Sequence, residues 1–469
     1  MCRLKSTRKN TTSKPIGSTI VKGTVLGSYM VLGLGSSAQT PDKPNIILIM
    51  TDQQTADAMS NRGNPWLKTP AMDELAKDGV VYNRAYCAYP LSGPSRASIF
   101  TGKMPNAVQV LENNDPLPDD EIPKSLGFRM INNGYNCLYA GKWHVPTINI
   151  PDEEFGFKWV SDMNDPKMAE AIEKALSVKN DKPLFLIASY LNPHEICEYA
   201  RFQTLHYGEI DIPPNAQYPP LPKNFNATKD LPELLMLHKE VSPKLYPTRT
   251  YSKQDWRNYL YAYYRLVERV DSVIGDLINI LKKQGLYDNS IIIFTSDHGD
   301  GVSAHRWNQK RALFEETIRI PLIVKPLKGN GQVGVTNENA LVNIGLDIYP
   351  TICDYAGIPL SADEYKGKSL QATTNDVLSQ HHESIFVETH LDGVNGRAWC
   401  VIKGDYKYTY YLYFRNKEQL FNIRTDKGET DNLINKKSYR QIREEMKKEL
   451  RKHAKKHNDK MLLKGLGNY

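Results

Sequence analysis

At 469 residues, with 40% hydrophobic and 24% charged side chains, the chain is too long for one small core and suits a large α/β unit with a second lobe. The formal charge of +7 does not mark a nucleic-acid binder. Arg3, Lys5, Arg8, Lys9, Lys14 and Lys22 precede residue 39 with no acid among them, and they account for all but one of the excess positives.

The same stretch has the layout of a secretory leader: a basic start, an apolar run from Val25 to Leu34, then Ser36 and Ala38 as small residues before Gln39. The run is shorter than the roughly 20 residues of a spanning helix. Residues 1–38 are therefore expected to be a signal peptide cleaved near Ala38. The mature protein is expected to be exported, periplasmic or secreted, without stable membrane insertion. Cys2 lies before the apolar run and does not read as a lipoprotein acceptor. Cys87, Cys137, Cys197, Cys353 and Cys400 are scattered, with no CxxC or Cys/His metal spacing. They exclude a disulfide scaffold, leave room for one pair, and are expected mostly as small buried side chains.

Pro44–Met50 is a continuous apolar run ending in Thr51-Asp52-Gln53-Gln54. Runs without alternation belong to parallel strands buried on both faces. Leu184–Tyr190 and Ser290–Thr295 share this character, and Pro321–Lys325 is a shorter version. Helical patterns lie between them, at Lys167–Val178 and from Gln254 to Lys283. This alternation predicts a doubly wound α/β sheet, with ligands beyond the carboxyl ends of its strands. Asp52-Gln53, Asn192-Pro193-His194 and Ser296-Asp297-His298-Gly299-Asp300 each follow such a strand. Asp52 and Asp297 can jointly ligate a hard cation such as Ca²⁺, although each alone also suits a helix N-cap.

Tyr89–Met104, YPLSGPSRASIFTGKM, places Ser92 after an aromatic and β-branched run and before a helix-compatible stretch, Ser95–Thr101. A hydroxyl at a strand-to-helix turn suits a nucleophile or an anion site, and equally a helix cap. From about residue 371 the texture changes. Ser384–His390, Arg397–Ile402, Tyr406–Tyr413 and Glu418–Ile423 predict an antiparallel meander, followed by a charged helix over Tyr439–Lys456. That helix interleaves Glu444, Glu445 and Glu449 with its lysines and reads as a solvated face. Residues 44–370 are thus expected as the catalytic domain, and 371–469 as an antiparallel-sheet-plus-helix subdomain.

The words around Ser92 resemble the signature of the type I, formylglycine-dependent sulfatases: Ser92, Pro94, Arg96, Thr101 and Gly102 stand at the family's positions without a gap. Gly141-Lys142-Trp143-His144, Asn192-Pro193-His194, and Lys310 followed by Phe314-Glu315-Glu316 resemble later words of that family in the same order. A fainter match covers Glu418–Ile423 and Asp426–Leu433. The resemblance implies an alkaline-phosphatase-like fold, a large doubly wound mixed sheet flanked by helices with a smaller C-terminal α+β subdomain. It implies hydrolysis of a sulfate ester or sulfamate on a carbohydrate, with glycosaminoglycan-type sugars as the expected class.

It further implies that a serine-type radical maturation enzyme oxidises Ser92 to formylglycine (3-oxoalanine). One divalent cation, expected to be Ca²⁺, would be held by Asp52, Gln53, Asp297, His298 and the residue made from Ser92. Arg96 and Lys103 would hold the hydrate, Lys142 carries over as a catalytic lysine adding charge complementarity where the transferred group sits, and His144 would assist hydroxyl deprotonation and elimination. His194 would lie near the leaving oxygen, and Lys310 would stabilise the departing alkoxide. Glu315 and Glu316 are expected to be structural. His305, Trp307 and Arg397, close to these words or on the second lobe's strands, are further candidates for sugar contacts. The chain departs from the commonest pattern with Gln53 for Asp and His298 for Asn. Both replacements are neutral, and a histidine ligand also accepts metals softer than Ca²⁺. The pairing also fits a phosphonate monoester or phosphodiester hydrolase of the same superfamily. A catalytically silent sugar-binding protein with unmodified Ser92 is the remaining alternative.

Overall fold

In this computed structural model, strands form on all four predicted apolar runs; three of them extend to the polar residues that follow, and the fourth, at Leu322–Lys325, stays within its run. The structure describes residues 43–145, 155–213, 216–243 and 245–467; the leader expected at 1–38 lies outside them. In chain order the strands are β1 (Asn45–Asp52), β2 (Val80–Tyr82), β3 (Ala85–Tyr86), β4 (Asn136–Gly141), β5 (Lys158–Ser161), β6 (Leu184–Pro193) and β7 (Ser290–Ser296). They continue as β8 (Leu322–Lys325), β9 (Val335–Asn337), β10 (Val342–Asn343), β11 (Ser384–Leu391), β12 (Gly396–Lys403), β13 (Tyr406–Tyr411) and β14 (Glu418–Asn422).

Eight of them form one mixed sheet in the order β5-β4-β6-β1-β7-β8-β2-β9. β5, β4, β6, β1 and β7 run parallel, whereas β8 is antiparallel to both β7 and β2. β1 shows why its run does not alternate. Ile46, Leu48 and Met50 enter one core and Ile47 and Ile49 enter another, on opposite faces of the pleat. The second core is closed by the helix Lys253–Lys283, which contributes Leu260, Val267, Ile274 and Leu281. Its start is fixed by a capping box between Ser252 and Asp255. The first core takes Ala97 and Ile99 from the helix Ser92–Thr101, and Ile348 and Ile352 from the helix Ile344–Tyr355.

The C-terminal sheet is the predicted meander, β11-β12-β13-β14. One face of β12 gives Trp399 and Val401 to a small core under the helix Arg440–Lys456, through Met446, Leu450 and Ala454. The other face gives Ala398, Cys400 and Ile402 to the main core. Lys407 of β13 is fully buried against Glu315 at 3.1 Å and Glu429 at 2.5 Å, which bears out the structural reading of Glu315. The five described cysteines are all buried and unpaired. No helix of the described residues is long and apolar enough to cross a membrane.

Candidate active site

Four adjacent parallel strands, β4-β6-β1-β7, end along one edge and deliver half of the predicted residues. Lys142 and His144 follow β4, His194 follows β6, Asp52 closes β1 with Gln53 next, and Asp297 and His298 follow β7. Binding beyond the carboxyl ends of strands is the rule for such sheets.

The turn out of β4 depends on Gly141. It adopts φ 93°, and an added Cβ would lie 2.0 Å from the carbonyl oxygen of Ser189, its register partner in β6. Gly141→Ala is expected to cost about 2–4 kcal/mol of stability, read from the denaturant midpoint.

Ser92 is the first residue of its helix rather than a residue before it. Leu91 is extended (φ −158°, ψ 136°), so the chain turns at the hydroxyl. Ser92 Oγ lies 3.0 Å from His298 Nε2 and donates to Asp52 Oδ2 at 3.3 Å, with Ser92, His298 and Asp52 all fully buried. One turn on, Arg96 projects into the same space. Its Nε meets Asp297 Oδ2 at 2.8 Å and one Nη meets Asp52 Oδ2 at 3.0 Å. The other Nη donates to Ser189 Oγ and to the carbonyl of Lys142. Lys142 Nζ reaches Asp52 Oδ2 at 2.7 Å. Burial opposes charge on Asp52, but Lys142 and Arg96 beside it hold its carboxyl well below the usual range.

These residues fit a divalent cation. Asp52 Oδ1 is buried without a hydrogen-bond partner among the described residues, and Asp52, Asp297 and His298 offer ligand atoms within 4.8 Å of one another. His298 Nδ1 donates to the carbonyl of Gly299 at 2.9 Å, which leaves Nε2 bare toward Ser92. Burial pushes the His298 imidazole down to about 4, so it is neutral at physiological pH. Gln53, at φ 71°, bridges the site through its amide: Oε1 accepts from Lys310 Nζ at 3.0 Å and Nε2 donates to Asp300 at 2.7 Å.

A cleft of about 970 Å³ opens beside this centre, lined by Lys142, Trp143, His144, Trp159, His194 and Glu198 among others. His194 Nδ1 faces Glu198 at 3.7 Å, while His144 Nδ1 is buried with no partner among the described residues. Burial, helped by the charge on Lys142, pushes both imidazoles down to about 3. An unfolded histidine titrates near 6.5, so neutral His144 costs stability as pH falls from about 6.5 toward 3. In chelator-treated protein, His144→Asn is expected to flatten part of that acid-side loss of the unfolding free energy. Asparagine suits the left-handed backbone at this position (φ 59°).

Four predicted residues lie elsewhere. Lys103 stands beyond the far end of the Ser92 helix, about 15 Å of helix from Ser92. It pairs with Glu121 at 2.8 Å and Glu364 at 3.5 Å, so it does not hold the Ser92 side chain. Trp307 is buried, with its indole N–H donated to the carbonyl of Lys310. His305 stacks on Phe314 at 4.3 Å and donates to the carbonyl of Ala227. Arg397 packs on the ring of Trp399 and donates to Asn106. These three are framework rather than cleft residues. Asp300, Ser189 and Glu198 went unassigned in the sequence. Asp300 alone stood in a quoted strand-end word, Ser296–Asp300.

The sequence matches the family described as Sulfatase over residues 44–358. The chain belongs to the sulfatase family. This sulfatase also matches the region described as N-sulphoglucosamine sulphohydrolase, C-terminal, over residues 303–456. It is a sulfuric ester hydrolase. It is 28% identical over 434 residues to a Delta 4,5-hexuronate-2-O-sulfatase of Bacteroides thetaiotaomicron, covering 87% of this chain and 88% of the relative. An ulvan-active sulfatase of Formosa agariphila is 28% identical over 459 residues, covering 93% and 86%. The solved structure of BT1596, a 2-O GAG sulfatase, matches the sulfatase with a TM-score of 0.79 at 26% identity, covering 89% and 93% of the two chains.

Proposed function

We propose that this sulfatase hydrolyses a sulfate ester, or the chemically equivalent sulfamate, on a carbohydrate of the glycosaminoglycan type, with formylglycine made from Ser92 as its nucleophile. Saccharide sulfatases among its relatives support the substrate class. The observation that carries the reading is Ser92 Oγ between His298 and Asp52, beside the unpartnered Asp52 Oδ1. Asp52, Asp297 and His298, with the Gln53 oxygen, would hold a divalent cation, Ca²⁺ by the carboxylate and amide donors. When bound, the cation lowers the pKa of the attacking hydroxyl and neutralises the sulfuryl oxygens. The hydrated aldehyde supplies two hydroxyls on one carbon, one to attack sulfur and the other to expel sulfate as the aldehyde re-forms.

The chain's own groups divide the remaining work. Arg96 spans Asp52 and Asp297 and fixes both carboxylates. Lys142 places a buried cation where sulfuryl charge accumulates. Neutral His144, whose Nδ1 has no partner among the described residues, accepts a proton from a hydroxyl of the nucleophile. His194, also neutral, sits on the cleft side for the leaving oxygen. Lys310 supplies positive charge to the departing alkoxide. The leader-like residues 1–38 extend the proposal to export, with a serine-type radical enzyme modifying the unfolded chain first.

Mass spectrometry of the Ser92 peptide tests the reading, in a host that carries a serine-acting maturation enzyme. Conversion leaves the peptide lighter by two hydrogens; unconverted serine in such a host removes the mechanism. Lys310→Ala is expected to lower kcat about 100-fold or more on a sugar sulfate, and less than about tenfold on a nitrophenyl sulfate, whose leaving group needs no help. Equal losses on both substrates would contradict its role.

A further inference from the structure

The amide of Gln53 is held in one orientation. Its Nε2 donates to Asp300 Oδ2 at 2.7 Å, and its Oε1 accepts from Lys310 Nζ at 3.0 Å. A carboxylate only accepts and an ammonium only donates, so these two partners decide which end of the amide is which. Asp300 is itself fixed. The Tyr259 hydroxyl donates to both its oxygens, at 2.8 and 3.0 Å. The Val302 N–H donates to Oδ1 at 2.8 Å and the Gln309 N–H to Oδ2 at 3.0 Å. The side chain is fully buried, and these donors are all neutral. A buried carboxylate met by neutral donors is costly unless positive charge lies close. Lys310 Nζ meets the Gln53 amide oxygen, and the Gln53 backbone N–H donates to Asp297 Oδ1 at 3.1 Å, so residue 53 touches both the lysine and the centre.

We infer that Asp300 is a positioning residue for the cation. Through Gln53 it turns an amide oxygen toward the centre, and it holds, one hydrogen bond back, the negative charge that a carboxylate at position 53 would carry. The inference rests on the reading above that the centre binds a divalent cation. It accounts for how Gln53 serves where the commonest family pattern has aspartate: the charge is displaced rather than lost.

Calorimetric titration with Ca²⁺, on parent and variants in one maturation state, tests this. A parent that binds no Ca²⁺ overturns the cation reading and this inference with it. With a binding parent, Asp300→Asn removes the charge alone: Gln53 Nε2 and the Gln309 N–H both donate to Oδ2, so the asparagine keeps its oxygen there and Gln53 its orientation. Ca²⁺ affinity is expected to fall at least about tenfold. The double variant Gln53→Glu/Asp300→Asn moves the charge to position 53 without changing shape, and is expected to return to within about threefold of the parent. Parent-like affinity in Asp300→Asn, or a double variant no tighter than the single, overturns the inference alone. Should Asp300→Asn fail to melt cooperatively in chelator, Gln53→Met takes its place. It keeps the length and lacks the amide, and is expected to lose about tenfold in Ca²⁺ affinity. Unchanged affinity there also overturns the inference.

Discussion

Ser92→Ala is expected to lower kcat/KM by about five orders of magnitude, the scale on which nucleophile deletions act in other hydrolases. The fold should survive it. Ser92 opens its helix, and alanine is the better helix former. The hydroxyl has one proton to give, to His298 Nε2 at 3.0 Å or to Asp52 at 3.3 Å, so the thermal midpoint should move by only a few degrees. Cation affinity in chelator-stripped protein should persist, because Asp52, Asp297 and His298 remain. Residual turnover above about one part in a thousand would mean that the reaction does not pass through this side chain.

Arg96→Met is expected to give the largest loss of stability. The guanidinium is fully buried between two fully buried carboxylates and also satisfies Ser189 Oγ and the Lys142 carbonyl. Methionine fills much of the volume but leaves like charges facing each other in low dielectric. Breaking a buried pair in this way costs about 3–5 kcal/mol. The loss should be full in chelator and smaller with Ca²⁺ present, because a bound cation offsets the same two carboxylates. Denaturant titrations with and without Ca²⁺ check both parts; a loss below about 1 kcal/mol in chelator would contradict the assignment.

Strands buried on both faces were legible because nothing interrupts them: Ile46–Met50, Leu184–Tyr190 and Ser290–Phe294 leave no polar alternation to misread. The strand-end rule then pointed at Asp52, His194 and Asp297 before any geometry was known. β4 was not legible as a strand. Asn136-Cys-Leu-Tyr-Ala-Gly141 is short and mixed, and its pairing with β6 sets its conformation, not its own propensity. Lys103 misled because it stands in the same word as Ser92, while a ten-residue helix carries it to the opposite end. Trp307 and His305 misled in the same way: nearness to Lys310 in sequence did not bring them to the cleft, and both are buried framework. Asp300 needed the fold, since its value lies in meeting Gln53 across 247 positions of chain.

Glu315, which receives the buried lysine of β13, opens a short helix whose Thr317 carbonyl accepts the N–H of Gly299, between His298 and Asp300. A Cβ at Gly299 would lie 2.1 Å from the carbonyl of Glu316, so the two segments are already in full contact. The terminal meander is thereby bolted to the loop that carries the reaction centre. Removing it would bare the main core at Ala398, Cys400 and Ile402 and withdraw the lysine that pairs with Glu315, so a chain ending near residue 370 should not serve as a minimal enzyme, and the inner strands have little room to drift as the sequence diverges.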